Sequence, residues 1–256
     1  MTFGANTHTD WFTLRTITFL SIVGISAWHS LQPRPHEPAI DGTQLRASID
    51  TFFTTTVTAG ATDTIGWATQ SLIRARDEGR DTWVQVYRWH GRDGSSSIDS
   101  LVMDASTLRP LHESRATSAG NVAVKYDGAR VLASVAPARG ATRSVDTSFA
   151  TPVFSSASLD AIARGIPRKA NYSAQLELYY PFPAPYGVRS ARLTVTGTET
   201  VPSRDRHGIE CWVVVVELPN GTTKFWVARG TGTVVQFASG EGDMRFLFLR
   251  PGAPAT

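Results

Sequence analysis

Cys211 is the one cysteine of the chain and the first candidate for a chemical role. A thiol becomes reactive when a helix N-terminus, a nearby cation or a histidine lowers its pKa. Cys211 lies in the stretch ECWVVVVEL, whose valines are typical of the middle of a β-strand. We therefore expect a buried and inert thiol. A single cysteine also excludes an intramolecular disulfide and a cysteine-rich metal site.

The histidines and the strand-borne carboxylates are the next candidates for catalysis or metal binding. The six histidines are His8, His29, His36, His90, His112 and His207. No two of them have H-x-H or H-x-x-x-H spacing, so no metal site is predicted. The carboxylates on predicted strands are Asp99, Asp104, Glu113, Glu177 and Glu217. General acid–base catalysis requires such groups to converge, and a hydrolase built from these dispersed carboxylates and His112 is one hypothesis.

Sequence motifs for nucleophilic catalysis and for cofactor binding are absent. The chain contains no G-x-S-x-G, no Walker loop and no G-x-G-x-x-G between a strand and a helix. We therefore predict no catalytic residues, no cofactor and a non-enzymatic protein. The net charge is only +3, and the basic residues are scattered arginines and three lysines. Nucleic-acid binding usually requires a concentrated basic patch, so it is not predicted.

The aromatic side chains say more about function than the titratable groups do, since the chain has seven Trp and twelve Phe in 256 residues. Several fall on predicted strands, where packing in the core is the ordinary role of an aromatic ring. On a concave sheet the same rings would line an apolar surface for a ligand. The candidates for such a lining are Trp83, Tyr87, Trp89, Trp212, Trp226 and Phe225.

The elements that would position these side chains are mainly β-strands. The segments TWVQVYRW, AQLELYY, ARLTVTGTETV and MRFLFLR carry the period-two pattern of strands, and residues 44–57 favour a strand through their Thr and Phe content. Turns such as YDGA and LPNG separate the segments. The predicted fold is mainly β: a single curved antiparallel meander sheet, or half-barrel, of about ten or eleven strands with one mid-chain helix. A compact two-sheet sandwich without a void is the alternative.

The predicted helix lies in the segment SSASLDAIARGIP. Its serines can cap the N-terminus, and Leu159, Ile162 and Ala163 form an apolar stripe at i, i+3 and i+4. Gly165 followed by Pro167 is typical of a helix end. In a curled sheet this helix would plug the concave side.

The hairpin that contains Cys211 is predicted to be apolar on both of its faces. Pro219 favours a type I turn with Gly221 in the left-handed position, which pairs Leu218 with Thr222. One predicted face carries Cys211, Val213, Val215, Phe225 and Val227, and the other carries Trp212, Val214, Val216, Leu218 and Trp226. A sheet with one solvent-exposed face alternates apolar and polar residues along its strands. Because this hairpin is apolar on both faces, we expect both faces to be covered by other parts of the protein.

The N-terminal residues carry an apolar run, ITFLSIVGISAW, directly after Arg15 and Thr16. The run is shorter than the roughly 20 residues that cross a bilayer, but it matches the apolar region of a signal peptide, with a cleavage point after Ala27. We predict a signal peptide or N-terminal anchor at residues 1–30, a proline-rich linker at 31–42, one β half-barrel domain at 43–250 and a disordered tail at 251–256. The protein is then exported to the periplasm or cell envelope, with no integral membrane span.

Two segments resemble a group of bacterial exported β-proteins of unknown function. SIDSLVMDASTLRPLHESR resembles their D-x-x-V-x-D-x-x-T-L-R-P-L pattern, and TVTGTETVPSRDRHGIECWVVVVELPNGTTKFWVARGTGTVVQF resembles their closing section. The match runs from about Ile65 to Phe248. The resemblance implies a half-barrel similar to periplasmic lipoprotein carriers and outer-membrane lipoprotein receptors, which bind acyl chains in an apolar concavity. It implies no catalytic residues, and the chain departs from the receptors in lacking a lipidated cysteine.

Three functional hypotheses stand beside one another. The first is a non-enzymatic exported protein that binds an apolar small molecule, a lipid, a lipoprotein or another cell-envelope component on the concave face. The second is a structural or assembly module that holds a protein partner at a sheet edge or face. The third is the hydrolase with dispersed carboxylates and His112.

Overall fold

The computed structural model describes residues 38–58, 61–181, 187–202, 208–241 and 244–249. The predicted signal peptide, most of the predicted linker and the predicted tail lie outside the described residues, as do His8, His29, His36 and His207. Those predictions are therefore untested.

The described residues form one sheet of 15 strands with a single short α-helix on one side of it. The strands are β1 (Ser48–Thr58), β2 (Ala61–Asp77), β3 (Arg80–Gly91), β4 (Ser96–Asp104), β5 (Pro110–Thr117), β6 (Gly120–Asp127), β7 (Arg130–Pro137), β8 (Arg143–Ser148), β9 (Phe154–Ser155), β10 (Ser173–Tyr180), β11 (Gly187–Val201), β12 (Ile209–Leu218), β13 (Gly221–Ala228), β14 (Val234–Glu241) and β15 (Met244–Leu249). The helix is α1 (Leu159–Gly165), and short 3-10 turns occupy Gly42–Gln44 and Ser156–Ser158.

The sheet consists of two antiparallel meanders joined by their terminal strands. Strands β1 to β8 follow one another in space, strands β10 to β15 do the same, and β1 pairs antiparallel with β15. Strand β9 lies parallel to β10 at one edge, and β8 forms the other edge. The prediction of a mainly β, open curved sheet with one helix is confirmed. The predicted single meander of ten or eleven strands is wrong in both strand number and connectivity.

The strand count was underestimated because several strands lack a visible apolar alternation. Strand β2 is 17 residues long, but its buried positions include Gly66, Ala68 and Gln70, which are small or polar. Strand β8 is an edge strand whose residues are mostly exposed, and β9 has only two residues. The period-two pattern needs large apolar residues on one face, and these strands do not supply them.

The helix α1 agrees with its prediction in position, although its N-cap residue Ser158 makes no side-chain capping hydrogen bond. Ser155 Oγ accepts a hydrogen bond from Ala157 N at 3.0 Å, which caps the 3-10 turn that leads into the helix. The helix ends at Gly165, where Ile166 N donates to Ile162 O. We call the sheet face that carries α1 the inner face and the opposite one the outer face.

Apolar side chains of α1 complete two clusters on the inner face. The larger cluster joins the helix to strands β10 to β14 and includes Phe154, Ile162, Ile166, Leu176, Leu178, Leu193, Val195, Val214, Val216, Phe225 and Val227. The second joins it to β2, β3 and β4 and includes Leu45, Leu72, Trp83, Leu101, Met103, Leu108 and Ala161. The helix therefore packs against strands of both meanders on the inner face.

The register of the β12–β13 hairpin differs from the prediction by one residue. Leu218 pairs with Gly221 across a two-residue loop, so Trp226 lies opposite Val213, not Val227. Gly221 begins the strand and is not among the glycines with positive φ in the described residues. A slip of one residue exchanges the two faces of a strand, which moves Phe225 to the inner face and Trp226 to the outer face.

The outer face of this hairpin is buried at one end only. Cys211 and Val213 are fully buried there, among Val201, Ala228 and Val235, while the opposite end of the hairpin carries the exposed Glu217 and Thr222. The expected burial of Cys211 is confirmed, and its inertness stays a prediction. The expectation that both faces are covered along the whole hairpin is wrong, since the outer face becomes polar toward its turn.

Candidate functional site

The inner face holds an open cavity of about 330 Å³ beside α1. An adjoining cavity of about 390 Å³ shares Tyr87, Ser239 and Phe248 with it. We call the first the main cavity and the second the adjoining cavity. Both have the size of ordinary small-molecule sites, which span about 300–1,000 Å³. The helix therefore covers the inner face only in part, and a ligand-sized space remains next to it.

Phenylalanine rings form one wall of the main cavity because three strands place them in register. Phe225 on β13 pairs with Phe237 on β14, which pairs with Phe248 on β15. The rings of Phe237 and Phe248 stack with centroids 4.0 Å apart, and Phe225 stacks on Phe237 at 5.7 Å. Phe52 contacts Phe237 edge-on at 5.7 Å. We call the three rings that line the cavity, those of Phe225, Phe237 and Phe248, the phenylalanine cluster.

The opposite wall of the main cavity is polar and includes an ion pair. Arg115 on β5 donates from Nε to Asp99 Oδ1 on β4 at 2.8 Å, and both side chains are about four-fifths buried. Tyr87 on β3 is the direct neighbour of Asp99. From α1, Asp160 Oδ2 accepts a hydrogen bond from Gln70 Nε2 at 2.8 Å. Burial raises the pKa of Asp99, and the nearby Arg115 guanidinium only partly offsets this increase.

Glu113 anchors the segment before α1 to the sheet from a fully buried position. Its Oε2 accepts hydrogen bonds from Tyr126 Oη at 2.7 Å and from Ser155 Oγ at 2.6 Å. Burial raises the pKa of the Glu113 carboxyl, although both hydrogen bonds act in the opposite direction. Burial likewise raises the pKa of Asp160, against the effect of Arg164. Three carboxyls of the inner face therefore take up protons more readily in the folded state than in the unfolded chain.

These raised pKa values predict that the fold loses stability as the pH rises above the ordinary carboxyl range. A carboxyl whose pKa is raised on folding stabilises the fold at acidic pH, and this contribution is lost as the pH rises through the raised value. In Glu113→Gln the carboxyl is removed while one side-chain oxygen can still accept from Tyr126 and Ser155. We expect this variant to lose less stability than the wild type between about pH 4 and pH 8, measured by urea unfolding. Equal slopes for Glu113→Gln and the wild type would contradict the assignment.

The structure brings three of the six predicted lining residues to the cavities. Tyr87 lines both cavities, Phe225 lines the main cavity and Trp89 lines the adjoining one. Trp212 lies on the inner face but packs against the larger core cluster, with the Arg229 guanidinium 5.3 Å from its ring. Its packing leaves it outside both cavities, so its predicted place is wrong.

Trp83 and Trp226 are also predicted to line a ligand surface; the structure places Trp83 in the core and Trp226 at a separate cavity of about 570 Å³ on the outer face. Trp83 is only 2% exposed and donates from Nε1 to the carbonyl of Gly42 at 2.9 Å, so it belongs to the core. Trp226 lies on the outer face, where its Nε1 donates to Glu199 Oε2 at 2.6 Å. Because Phe225 and Trp226 are adjacent in β13, their side chains point to opposite faces, and only Phe225 can line the inner face.

The residues named for a hydrolase do not converge in one cleft. His112 lies on the outer face with its Nε2 at 3.5 Å from Asp77 Oδ2, in a surface depression that none of the five named carboxylates lines. Asp99 and Glu113 belong to the inner face, and Asp104 accepts from the backbone N–H groups of its own turn. The hydrolase hypothesis therefore has no assembled site from these residues, and the absence of enzymatic activity stays a prediction.

Within the described residues, no group of three or more His, Cys, Asp or Glu side chains is arranged to hold a metal ion. No helix in the described part of the chain is both long and apolar enough to cross a membrane.

The motifs and the fold have a counterpart in a known family. The family model described as Protein of unknown function (DUF3108) matches residues 51–248. The chain belongs to this family. The match covers the sheet from β1 to β15 together with α1, so the cavities lie entirely within the DUF3108 region. No curated protein matches the sequence.

Two solved structures are similar to this DUF3108 chain at low sequence identity. A beta-barrel-like protein of domain of unknown function DUF1849 from Brucella abortus has a TM-score of 0.55 and 11% identity, over 84% of this chain and 98% of its own. The hypothetical lipoprotein YmcC from Escherichia coli (K12) has a TM-score of 0.33 and 15% identity, over 81% of this chain and 90% of its own. The first comparison supports a barrel-like fold. The implied similarity to lipoprotein carriers and receptors is shown by neither.

Sequence reasoning missed most of the residues that line the main cavity. Phe237, Phe248, Asp99 and Arg115 come together only through strand pairing, and they are far apart in the sequence. One local signal was available: Phe237, Phe246 and Phe248 occur on two short predicted strands near the C-terminus. The alternation of side chains along these strands places Phe246 and Phe248 on one strand face, and this pattern identifies part of the phenylalanine lining.

Proposed function

We propose that this chain is an exported protein that binds an amphipathic small molecule or lipid in the main and adjoining cavities. The observation that supports the proposal is the phenylalanine cluster, which faces an open, ligand-sized space on the inner face. Burial of apolar surface contributes about 25 cal/mol per Å², so the partly exposed rings of Phe237 and Phe248 are favourable contacts for an apolar ligand.

The shape of the site supports an elongated ligand. The two cavities meet at Tyr87, Ser239 and Phe248, so together they form a groove along the inner face. Phe246 and Trp89 continue the aromatic lining in the adjoining cavity. A chain-like apolar group can therefore contact aromatic rings along both cavities, while its other end reaches the polar wall.

Ser239→Trp tests the proposal because Ser239 lines both cavities and its replacement by an indole would fill their junction. We expect the affinity for a neutral apolar probe, N-phenylnaphthylamine, to fall by about tenfold or more, as measured by probe fluorescence. Ser114→Trp is the matched control, because Ser114 is exposed on β5 and its neighbours Glu113 and Arg115 point to the inner face. Equal probe binding by both variants and the wild type would contradict binding in these cavities.

The same preparation tests export. Mass spectrometry of the chain purified from a bacterial envelope fraction would show removal of residues up to about Ala27 if the predicted signal peptide is cleaved. Recovery of the full-length chain from the cytoplasm alone would contradict export while leaving ligand binding open to its own test.

A further inference from the structure

The main cavity is divided into an apolar and a polar half, and the division follows the two meanders of the sheet. Strands β13, β14 and β15 contribute three phenylalanine rings together with Thr223 and Ser239, whereas β2 to β5 contribute mostly polar side chains, with Leu101 as the apolar exception. The polar lining of that half consists of Gln70, Gln85, Tyr87, Asp99 and Arg115. A ligand that fills the cavity therefore meets an apolar surface at one end and hydrogen-bonding groups at the other.

Arg115 offers hydrogen-bond donors to this space. Its Nε is engaged by Asp99, but its two terminal nitrogens donate to none of the described residues. A guanidinium presents its N–H groups in a fixed fork that matches a carboxylate. The part of Arg115 that the fold leaves unused is therefore suited to an acidic oxygen.

Gln85 offers the complementary acceptor. Its Nε2 donates to the carbonyl of Ala157 at 3.0 Å, which determines which side of the amide is the oxygen. Its Oε1 is buried and has no hydrogen-bond partner among the described residues, although Gln85 lines the cavity and is only 6% exposed. A buried acceptor without a partner costs free energy, so this oxygen favours a ligand that carries a donor.

Gln85 and Arg115 line the same cavity from β3 and β5, with Asp99 of β4 between them. Gln85 pairs with Leu101, and Tyr87 pairs with Asp99, so Gln85 and Asp99 are diagonal neighbours on adjacent strands. Such neighbours lie about 7–8 Å apart. Arg115 is the next residue across, as the partner of Asp99.

We propose that the ligand is an acidic amphiphile, whose apolar chain lies on the phenylalanine cluster, whose carboxylate binds the terminal nitrogens of Arg115, and whose hydroxyl or amide N–H donates to Gln85 Oε1. Hydroxylated and N-acylated carboxylic acids have this chemistry. A carboxylate suits the site better than a phosphate monoester, because the phosphate carries nearly two charges and Asp99 and Asp160 line the same cavity. The inference rests on the proposed function, since it names the ligand class of that site.

Removal of Asp99 should strengthen carboxylate binding, and this sign makes the proposal testable. Asp99 competes with a ligand carboxylate for Arg115, and it adds a negative charge to a partly buried site. In Asp99→Asn, the guanidinium keeps its charge and loses its carboxylate partner. An ion pair that lies away from the bound carboxylate would give no gain in affinity for any acid.

The test compares four probes on the full chain by isothermal titration calorimetry: dodecanoate, beta-hydroxydodecanoate, dodecanol and dodecyltrimethylammonium. We expect the wild type to prefer beta-hydroxydodecanoate. Arg115→Gln should weaken both acids by about tenfold or more and leave dodecanol unchanged. Asp99→Asn should tighten both acids several-fold and weaken the ammonium probe. Gln85→Met should remove the preference for the hydroxylated acid over dodecanoate.

The outcomes separate the ligand class from the proposed function. Equal binding of all four probes, with no effect of Asp99→Asn, would overturn the acidic ligand while the apolar site stands. Preference for the ammonium probe would also overturn it. If no probe binds the wild type, the proposed function itself fails. If Arg115→Gln does not fold, the affinity of Asp99→Asn for the two acids decides the test. No increase in that affinity over the wild type would overturn the acidic ligand.

Discussion

Arg164→Leu is expected to reduce the free energy of unfolding by about 3–5 kcal/mol, because it breaks a buried ion pair from one side. Arg164 is 2% exposed on α1, and its Nη1 lies 3.7 Å from Asp160 Oδ2. It also donates from Nη2 to the carbonyl of Arg46 at 2.8 Å and from Nε to the carbonyl of Gly232 at 3.2 Å. The side chain therefore ties the helix to the segment before β1 and to the turn before β14.

Urea unfolding of a double-mutant cycle measures this effect. Asp160→Asn removes the charge that Arg164→Leu would leave unpaired, so the double variant should lose clearly less stability than the sum of the two single losses. A loss below about 1 kcal/mol for Arg164→Leu would place the arginine in solvent-like surroundings and contradict the structure.

Trp83→Ala should cost about 3–5 kcal/mol of stability and leave the affinity for an apolar probe unchanged. The indole of Trp83 is buried in the cluster of β2, β3 and β4, and its removal leaves a cavity and takes one of two hydrogen bonds from the Gly42 carbonyl, which still accepts from Leu45 N at 3.3 Å. Trp89 is the matched residue, since it has the same side chain on the same strand and face but lines the adjoining cavity.

Trp89→Ala should show the opposite pattern to Trp83→Ala. We expect a smaller loss of stability, about 1–2 kcal/mol, because the ring is only partly buried, together with weaker probe binding. Chemical denaturation measures the free energy of unfolding of both variants, and probe titration measures their affinities for the apolar probe. Similar losses of stability for the two variants would show that Trp89 is also a core residue and would remove it from the proposed site.

Local features of this fold could be predicted from the sequence because they depend on neighbouring residues. Period-two alternation identified strands such as β3 and β10, and the serine caps with the Gly165 stop located α1. Strands without large apolar residues, such as β2 and β8, escaped the same pattern. The burial of Cys211 followed from its valine-rich strand.

The composition of the site could not be predicted, because it depends on which strands become neighbours. Phe237 and Asp99 line one cavity although they lie on separate meanders, which meet only through the pairing of β1 with β15. The hairpin shows the sensitivity of such predictions, since one residue of register exchanged the faces of Phe225 and Trp226.

A β-rich fold with one mid-chain helix and many aromatic rings can be predicted from the local pattern of residues, because side-chain periodicity depends on the local backbone. Strand order and register depend on packing between residues that are distant in the chain. For that reason the folded structure was needed to show which rings line a cavity, which belong to the core, and that Arg115 and Gln85 line the same cavity as the phenylalanine cluster.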